Sequence, residues 1–360
     1  MKNGGYKNVL VLNMGGIGDL VSTMPVLAAL KNYGSKTITS VVWPAQEDLA
    51  LIVPSIDRVV PLPVPWENDP KLSLFGRKLA GKFGYDLVLD FAFMPRSGIL
   101  SREARGNRTV GFALERKRRP WYTDIFPNLP GELRLERNLR LIEQLGLSRP
   151  AAPDFRVKLP AETRKKLDKI LRDNGIAPNV FPLAVHPGSG NSVRNWPAER
   201  FAELADKIAA DSGAPVVLLG GRDKTYDGSD ELSLVRRVIA RLRTPAVDLA
   251  GKLDLPMMVA LLQRCSLFAG NNSGPAHIAA TLAGASSLLV WAPRNEKVWR
   301  PWGRDVVLVS AETDCADECE LNQCDRIAEC LAMISVDEVY RAYLATIGAP
   351  EQVAATGGSR

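Results

Sequence analysis

Short apolar runs alternate with longer segments of helical period along most of the chain. In the first half the runs at Val9–Leu12, Thr37–Val42, Arg58–Leu62 and Leu87–Phe91, and one near Thr109–Gly111, read as strands. Helical spacing predicts helices over Val21–Lys31 and Leu72–Phe83, and one over Glu136–Leu145 that sets Leu139, Ile142 and Glu143 at helical spacing. The stretch LSRPAAPDFRVKLPAE, Leu147–Glu162, carries three prolines and interrupts the rhythm, so it reads as a linker. The pattern then restarts. Strands are predicted at Leu183–His186, Pro215–Leu219, Ala246–Leu249, Leu267–Gly270 and Ser287–Trp291. Helices are predicted at Ala198–Ala210, Leu234–Arg241, Leu255–Arg264 and Pro275–Ala283, with a last one at Val336–Ile347. Within Ala198–Ala210, Phe201, Leu204, Ala205 and Ile208 form one apolar stripe, and Pro197 suits the helix start. The tail GAPEQVAATGGSR has little to bury and is expected to be disordered.

Alternation of this kind argues for an α/β protein with parallel sheets and crossover helices. Each half opens with strand, Gly-rich loop and helix. The expected architecture is two facing, Rossmann-like, doubly wound domains with a ligand cleft at the carboxyl ends of their strands. The boundaries read as residues 1–155 and 156–334. Residues 335–360 then hold a helix expected to pack back on the first domain, followed by the tail.

The chain's 360 residues suit two domains, and 46% hydrophobic with 24% charged residues is a soluble, globular balance. No apolar run is long enough to span a bilayer, and the first residues lack a signal-peptide pattern. A cytoplasmic location is expected. The net charge is +6, and Arg102, Arg105, Arg108, Arg116, Lys117, Arg118 and Arg119 concentrate part of it, with Trp121 and Tyr122 behind them. That run is either a solvated loop or a patch for an anionic partner, such as a phosphorylated glycolipid or a membrane surface. No nucleic-acid-binding module accompanies it, so no nucleic-acid partner is expected. Of five cysteines, Cys265 sits alone in a helical segment. Cys315, Cys319, Cys324 and Cys330 cluster, but without the paired C-x2-C spacing of common zinc sites. They read either as reduced thiols or as a structural Zn or Fe site.

Three loops carry candidate chemistry. In VLNMGGIGDLVSTMPVLAALK, Gly15, Gly16 and Gly18 lead to Asp19 at a helix start. The dinucleotide fingerprint fails, because Val21 stands at its third glycine and no acid ends the second strand; a P-loop is absent. Asp19 reads as a helix cap, with a lowered pKa, or as a base if it is desolvated. In HPGSGNSVRNWPAERF, a strand ends at His186 and Arg194 precedes a helix, a good setting for an anion. In GNNSGPAHIAATLAG, small residues and a helix start surround His277. His186 and His277 are the chain's only histidines, and both fall at carboxyl ends of strands. No G-x-S-x-G elbow and no H-E-x-x-H motif occurs, so hydrolase readings lack support.

Taken together these loops, with YDLVLDF, TVGF, VVLLGG, DLAGKLDLPMMVALLQRCSLFAGNNSGPAHIAA and the C-terminal cysteines followed by ISVDEV, resemble glycosyltransferase family 9. That family comprises the ADP-heptose:lipopolysaccharide heptosyltransferases and their relatives. The resemblance implies a GT-B fold, with the acceptor in the N-terminal domain and the nucleotide-sugar in the C-terminal one. It implies that Asp19 is the general base of an inverting transfer, on the acceptor-side loop of Gly15, Gly16 and Gly18. It assigns Arg194, Ser273, Gly274 and His277, helped by Ser189 and Asn191, to the leaving diphosphate. No cofactor is implied beyond an ADP-sugar donor, and no catalytic metal. The acceptor would be an anionic glycolipid or another glycan, met at the cytoplasmic face of the inner membrane. Two positions depart from the family pattern: Arg194 stands for its usual lysine, and Asn272 for the aspartate of D-[ST]-G-x-x-H. Asparagine keeps a hydrogen-bond acceptor but loses the charge, which opens the alternative of another nucleotide-sugar and another acceptor. A non-catalytic nucleotide-sugar binder is the other alternative.

Overall fold

The computed structural model describes residues 6–63, 69–92, 94–113, 120–127, 129, 131–149, 155–225, 227–292, 298–311 and 326–346. Cys315, Cys319 and Cys324, the basic run 116–119 and the C-terminal tail lie outside the described residues.

Two parallel sheets of six strands form the frame. The first contains β1 (Asn8–Asn13), β2 (Thr37–Val42), β3 (Arg58–Pro61), β4 (Leu87–Asp90), β5 (Arg108–Ala113) and β6 (Asp124–Pro127), in the order β3-β2-β1-β4-β5-β6. The second contains β7 (Leu183–His186), β8 (Val216–Leu218), β9 (Ala246–Asp248), β10 (Leu267–Asn271), β11 (Ser287–Trp291) and β12 (Val306–Ser310), in the order β12-β11-β10-β7-β8-β9. The two orders are the same doubly wound topology. Central strands such as β1, β4, β7 and β10 are covered on both faces, which is why they read as continuous apolar runs rather than alternating ones. In each sheet the strand order reverses at the parallel middle pair, β1 with β4 and β7 with β10. Loops leaving those strands part there and open a crevice.

The helix expected over Val21–Lys31 is two helices, α1 (Ile17–Ser22) and α2 (Met24–Asn32), because Pro25 near the start of α2 cannot donate back to α1. Gly18 and Asp19 therefore lie in the first turn of α1. The next helices of this half are α3 (Glu47–Leu51), α4 (Asp69–Phe83), α5 (Pro95–Glu103) and α6 (Arg134–Gln144). In the second half, α7 (Ala161–Asp173) begins inside the stretch read as linker. Only Leu167 and Leu171 of α7 are buried, too thin a stripe to stand out among its lysines and arginines. Then come α8 (Ala198–Ser212), α9 (Glu231–Ile239), α10 (Leu255–Arg264) and α11 (Gly274–His277), which continues into a π-helical stretch at Ile278–Ala283. Helices α3 and α5, the edge strands β6 and β12 and the helix α12 (Ile327–Met333) are further elements that the sequence pattern does not indicate.

The sequence places the final helix against the first domain; the structure corrects this. Helix α13 (Val336–Thr346) packs on α8, β11 and β12 of the second half. Its apolar residues Val336, Val339 and Tyr343 join the core made by Phe201, Leu204 and Leu288. Trp196 Nε1 donates to the Ile334 carbonyl at 3.0 Å, and Lys207 pairs with Asp337 at 2.6 Å. The second sheet's outer face is the nearer apolar surface, so the helix has no need to cross back. No helix among the described residues is long and apolar enough to cross a membrane.

Candidate active site

The loop leaving β1 turns through Gly15 into Gly16, the N-cap of α1. Asp19, in the first turn, folds back so that its Oδ2 accepts the Gly16 N–H at 2.9 Å. A Cβ on Gly15 would stand 2.5 Å from that oxygen, so only glycine leaves room for the carboxylate. Asp19 is thus a helix cap, yet it also lines the cleft. A cap alone would lower its pKa. Burial raises it, and that effect outweighs the opposing pull of Arg134, the Gly16 N–H and Arg137.

Both arginines come from α6, which the sequence reading left without a role. Arg137 is 2% exposed, bonded to Asn138 Oδ1 at 3.2 and 3.0 Å and stacked over Phe112 at 4.5 Å. Burial, together with Arg134 beside it, holds its pKa down at about 8. Arg134 lies over the Trp299 ring at 4.2 Å. Asn138 fixes α6 to α1 through the Ser22 carbonyl at 2.6 Å. A signal existed in the sequence: Arg137 interrupts the apolar stripe of Leu135, Leu139, Leu141 and Ile142, where a cation needs a reason to be.

The opposite wall comes from the second half. His186 ends β7, with Nδ1 3.3 Å from Ser273 Oγ and Nε2 3.4 Å from Glu231 Oε2. Glu231 also accepts the Gly221 N–H at 2.6 Å. Burial pushes the Glu231 pKa up, but His186 and that N–H more than reverse it and hold it below the usual carboxylate range. Ser189, Arg194, Asn272, Ser273, Gly274 and His277 line the cleft, and so do Gly16 and Gly18 across from them. Asn191 and Gly15 do not. The Asn191 side chain accepts from the Val193 N–H at 3.2 Å, capping the 3-10 turn Ser192–Arg194, and the Gly15 carbonyl is taken by Gln46 at 2.9 Å. Burial lowers the His277 pKa to about 4, so its ring is neutral at pH 7. The cleft between the walls has a volume of about 480 Å³, the size of a small-ligand site.

The walls touch at two glycines, each facing a side chain of the other wall. A Cβ on Gly18 would come within 2.9 Å of the His277 ring, and one on Gly274 within 3.0 Å of Ile17. Among the described residues no group of three His, Cys, Asp or Glu side chains could hold a metal; Cys330, one of the four clustered cysteines, is buried in α12.

The sequence profile of "Glycosyltransferase family 9 (heptosyltransferase)" matches residues 74–327. Lipopolysaccharide heptosyltransferase 3 of Escherichia coli is 26% identical over 314 residues, covering 81% of this chain and 85% of that protein. A family 9 glycosyltransferase from Veillonella parvula superposes with a TM-score of 0.80 at 22% identity, over 95% of this chain and 97% of its own. Escherichia coli heptosyltransferase WaaC, solved with ADP, gives 0.70 at 20% identity over 93% and 98%. The matched span runs from α4 past the second sheet, and the chain holds two like sheets with a crevice between them, so it belongs to glycosyltransferase family 9 and is a glycosyltransferase of GT-B fold.

Proposed function

We propose that this enzyme transfers heptose from ADP-heptose to an anionic lipopolysaccharide-core acceptor, with inversion, and that Asp19 is the general base. The observation that carries the reading is one desolvated carboxylate, its pKa raised, facing phosphate-type donors across a cleft. A general base works best when its pKa approaches the working pH, and burial moves Asp19 in that direction. An acceptor hydroxyl within hydrogen-bond reach of Asp19 would lose its proton to the carboxylate as its oxygen attacks the anomeric carbon. The bond to the diphosphate breaks on the opposite face, and the leaving charge passes to the second wall. There Arg194 offers a guanidinium fork, Ser273 a hydroxyl, Gly274 a backbone N–H and neutral His277 a single N–H, with Ser189 beside them.

In this reading residues 1–155 bind the acceptor and residues 156–334 the donor. Arg134 and Arg137, next to Asp19, favour an acceptor carrying carboxylate or phosphate, and such an acceptor is presented at a membrane surface. WaaC was solved with ADP, which supports adenosine in the same crevice. Asn272 supports a second reading within the same chemistry: an uncharged amide where the family pattern has aspartate favours a different donor sugar. A nucleotide-sugar binder without turnover would not need the half-buried Asp19 carboxylate.

Calorimetric titration with ADP, UDP, GDP and CMP tests the donor. Preference for ADP, followed by turnover of ADP-heptose that Asp19→Asn abolishes, is the expected result. Preference for another nucleotide would replace the donor while keeping the base. Full turnover by Asp19→Asn would remove Asp19 from the mechanism.

A further inference from the structure

Helices α4 and α5 pack side by side on the face of the first sheet away from α2 and α6. Gly76 lets them approach closely: a Cβ there would lie 2.7 Å from Glu103 Cβ. The close pair merges two rows of cations into one face. Lys71, Arg77, Lys78 and Lys82 on α4, with Arg102 and Arg105 at the end of α5, are all exposed. Glu103 is the one acid of α5; it is half-buried, with Arg77 at 3.5 Å and Arg102 at 3.0 Å. On α4 the one acid is Asp69, at its first residue. On the same helical face as Lys71 and Lys78, Leu74 is 48% exposed. Helix α7 is equally rich in lysine and arginine, but Glu162, Asp168 and Asp173 are interspersed along it, and no large apolar side chain of α7 is exposed. Among the described residues, the α4–α5 face combines a clear excess of positive charge with a protruding leucine.

We propose that the α4–α5 face is where the enzyme rests on an anionic lipid bilayer, its cations on the headgroups and Leu74 at the headgroup–acyl boundary. The chemistry fits a bilayer better than nucleic acid. The face carries no exposed aromatic ring for base stacking, and a lone leucine flanked by lysines is the arrangement of an interfacial helix. In sequence, Arg116–Arg119 add more cations one strand beyond α5. The proposal rests on the reading that the acceptor is presented at a membrane, but its test does not depend on turnover.

The full chain is sedimented with vesicles of phosphatidylcholine alone and with added phosphatidylglycerol. Co-sedimentation with the anionic vesicles, weakening with salt, is expected. Lys78→Glu/Lys82→Glu should lower the partition coefficient by about thirtyfold or more, since each basic residue near such a surface contributes roughly fivefold. Leu74→Ser should lower it further, and Lys165→Glu/Lys166→Glu on α7 should leave it within about threefold. Circular dichroism checks that each variant is folded. Equal binding to both vesicle types, no binding, loss in the α7 variant, or tighter binding to single-stranded RNA than to anionic vesicles would each overturn the proposal. Failure here with ADP-heptose turnover intact would sink the docking face and leave the proposed reaction standing.

Discussion

Gly18→Ala sets two physical rules against each other. Gly18 is the second residue of α1, and glycine inside a helix costs up to about 1 kcal/mol relative to alanine. Propensity alone therefore predicts a variant at least as stable as the parent. The contact across the cleft predicts something else. The new Cβ would lie 2.9 Å from His277 Cδ2 and 3.0 Å from Nε2. Carbon atoms pack at about 3.5–4.0 Å, so the walls must separate by roughly 0.6 Å or more. The His277 ring cannot simply swing away. It is buried, with the edge of Trp291 at a centroid distance of 6.3 Å. Asp19 follows Gly18 and moves with α1. A misplacement of about 1 Å in a reacting geometry can cost 10²-fold, so kcat should fall by about ten- to a hundredfold. The assay is ADP release from ADP-heptose with acceptor, alongside thermal unfolding. The melting temperature should stay within a few degrees, since helix gain and overpacking oppose each other. Gly81→Ala is the control: a Cβ there meets nothing within 4 Å, so it should leave kcat unchanged. A Gly18→Ala enzyme with kcat within about twofold of the parent would refute the idea that the glycine contact sets the cleft.

Four further outcomes are expected. Asp19→Asn should lower kcat by about 10²–10⁴-fold while leaving ADP affinity unchanged by calorimetry, because the change spares the donor wall. The same variant should be more stable than the parent at neutral pH: with the folded pKa of Asp19 raised, the stability its protonated form provides is lost as pH rises through that pKa, and the amide does not ionise. Equal or lower melting temperatures at pH 7 would contradict the desolvation account. Arg137→Met removes a charge that holds the Asp19 pKa down, so the acid limb of the kcat/KM–pH profile should move to higher pH; an unmoved limb would separate the two groups. For the cysteines, elemental analysis of anaerobically purified protein should find Zn or Fe if Cys315, Cys319, Cys324 and Cys330 form a structural site, and its absence would end that reading.

Strand β2, strand β7, strand β11 and helix α10 follow from sequence to the residue, because fully covered strands and a capped, Pro-started helix leave strong local patterns. The three loops were legible for the same reason: glycine, serine and asparagine after an apolar run mark the carboxyl end of a strand, where a doubly wound sheet binds its ligand. Position in the chain told that Asp19 begins a helix. It could not tell whether that carboxylate is solvated, and solvation decides between a cap with a lowered pKa and a base with a raised one. The raised pKa comes from burial, which outweighs the pull of Arg134 and Arg137, and burial at the β1 loop depends on elements that the fold brings there from far along the chain. In the same way, the family resemblance implied Asn191 at the diphosphate, but the turn Ser192–Arg194 uses its side chain as a cap. The amphipathic final helix was evident; its partner was not, since an apolar stripe specifies that it must be covered and not by what. Local pattern thus determined the elements, the loops and the residue types of the chemistry. Burial, the meeting of the two walls and the choice of partner for each apolar face depend on contacts distant in sequence, and only the tertiary structure decided them.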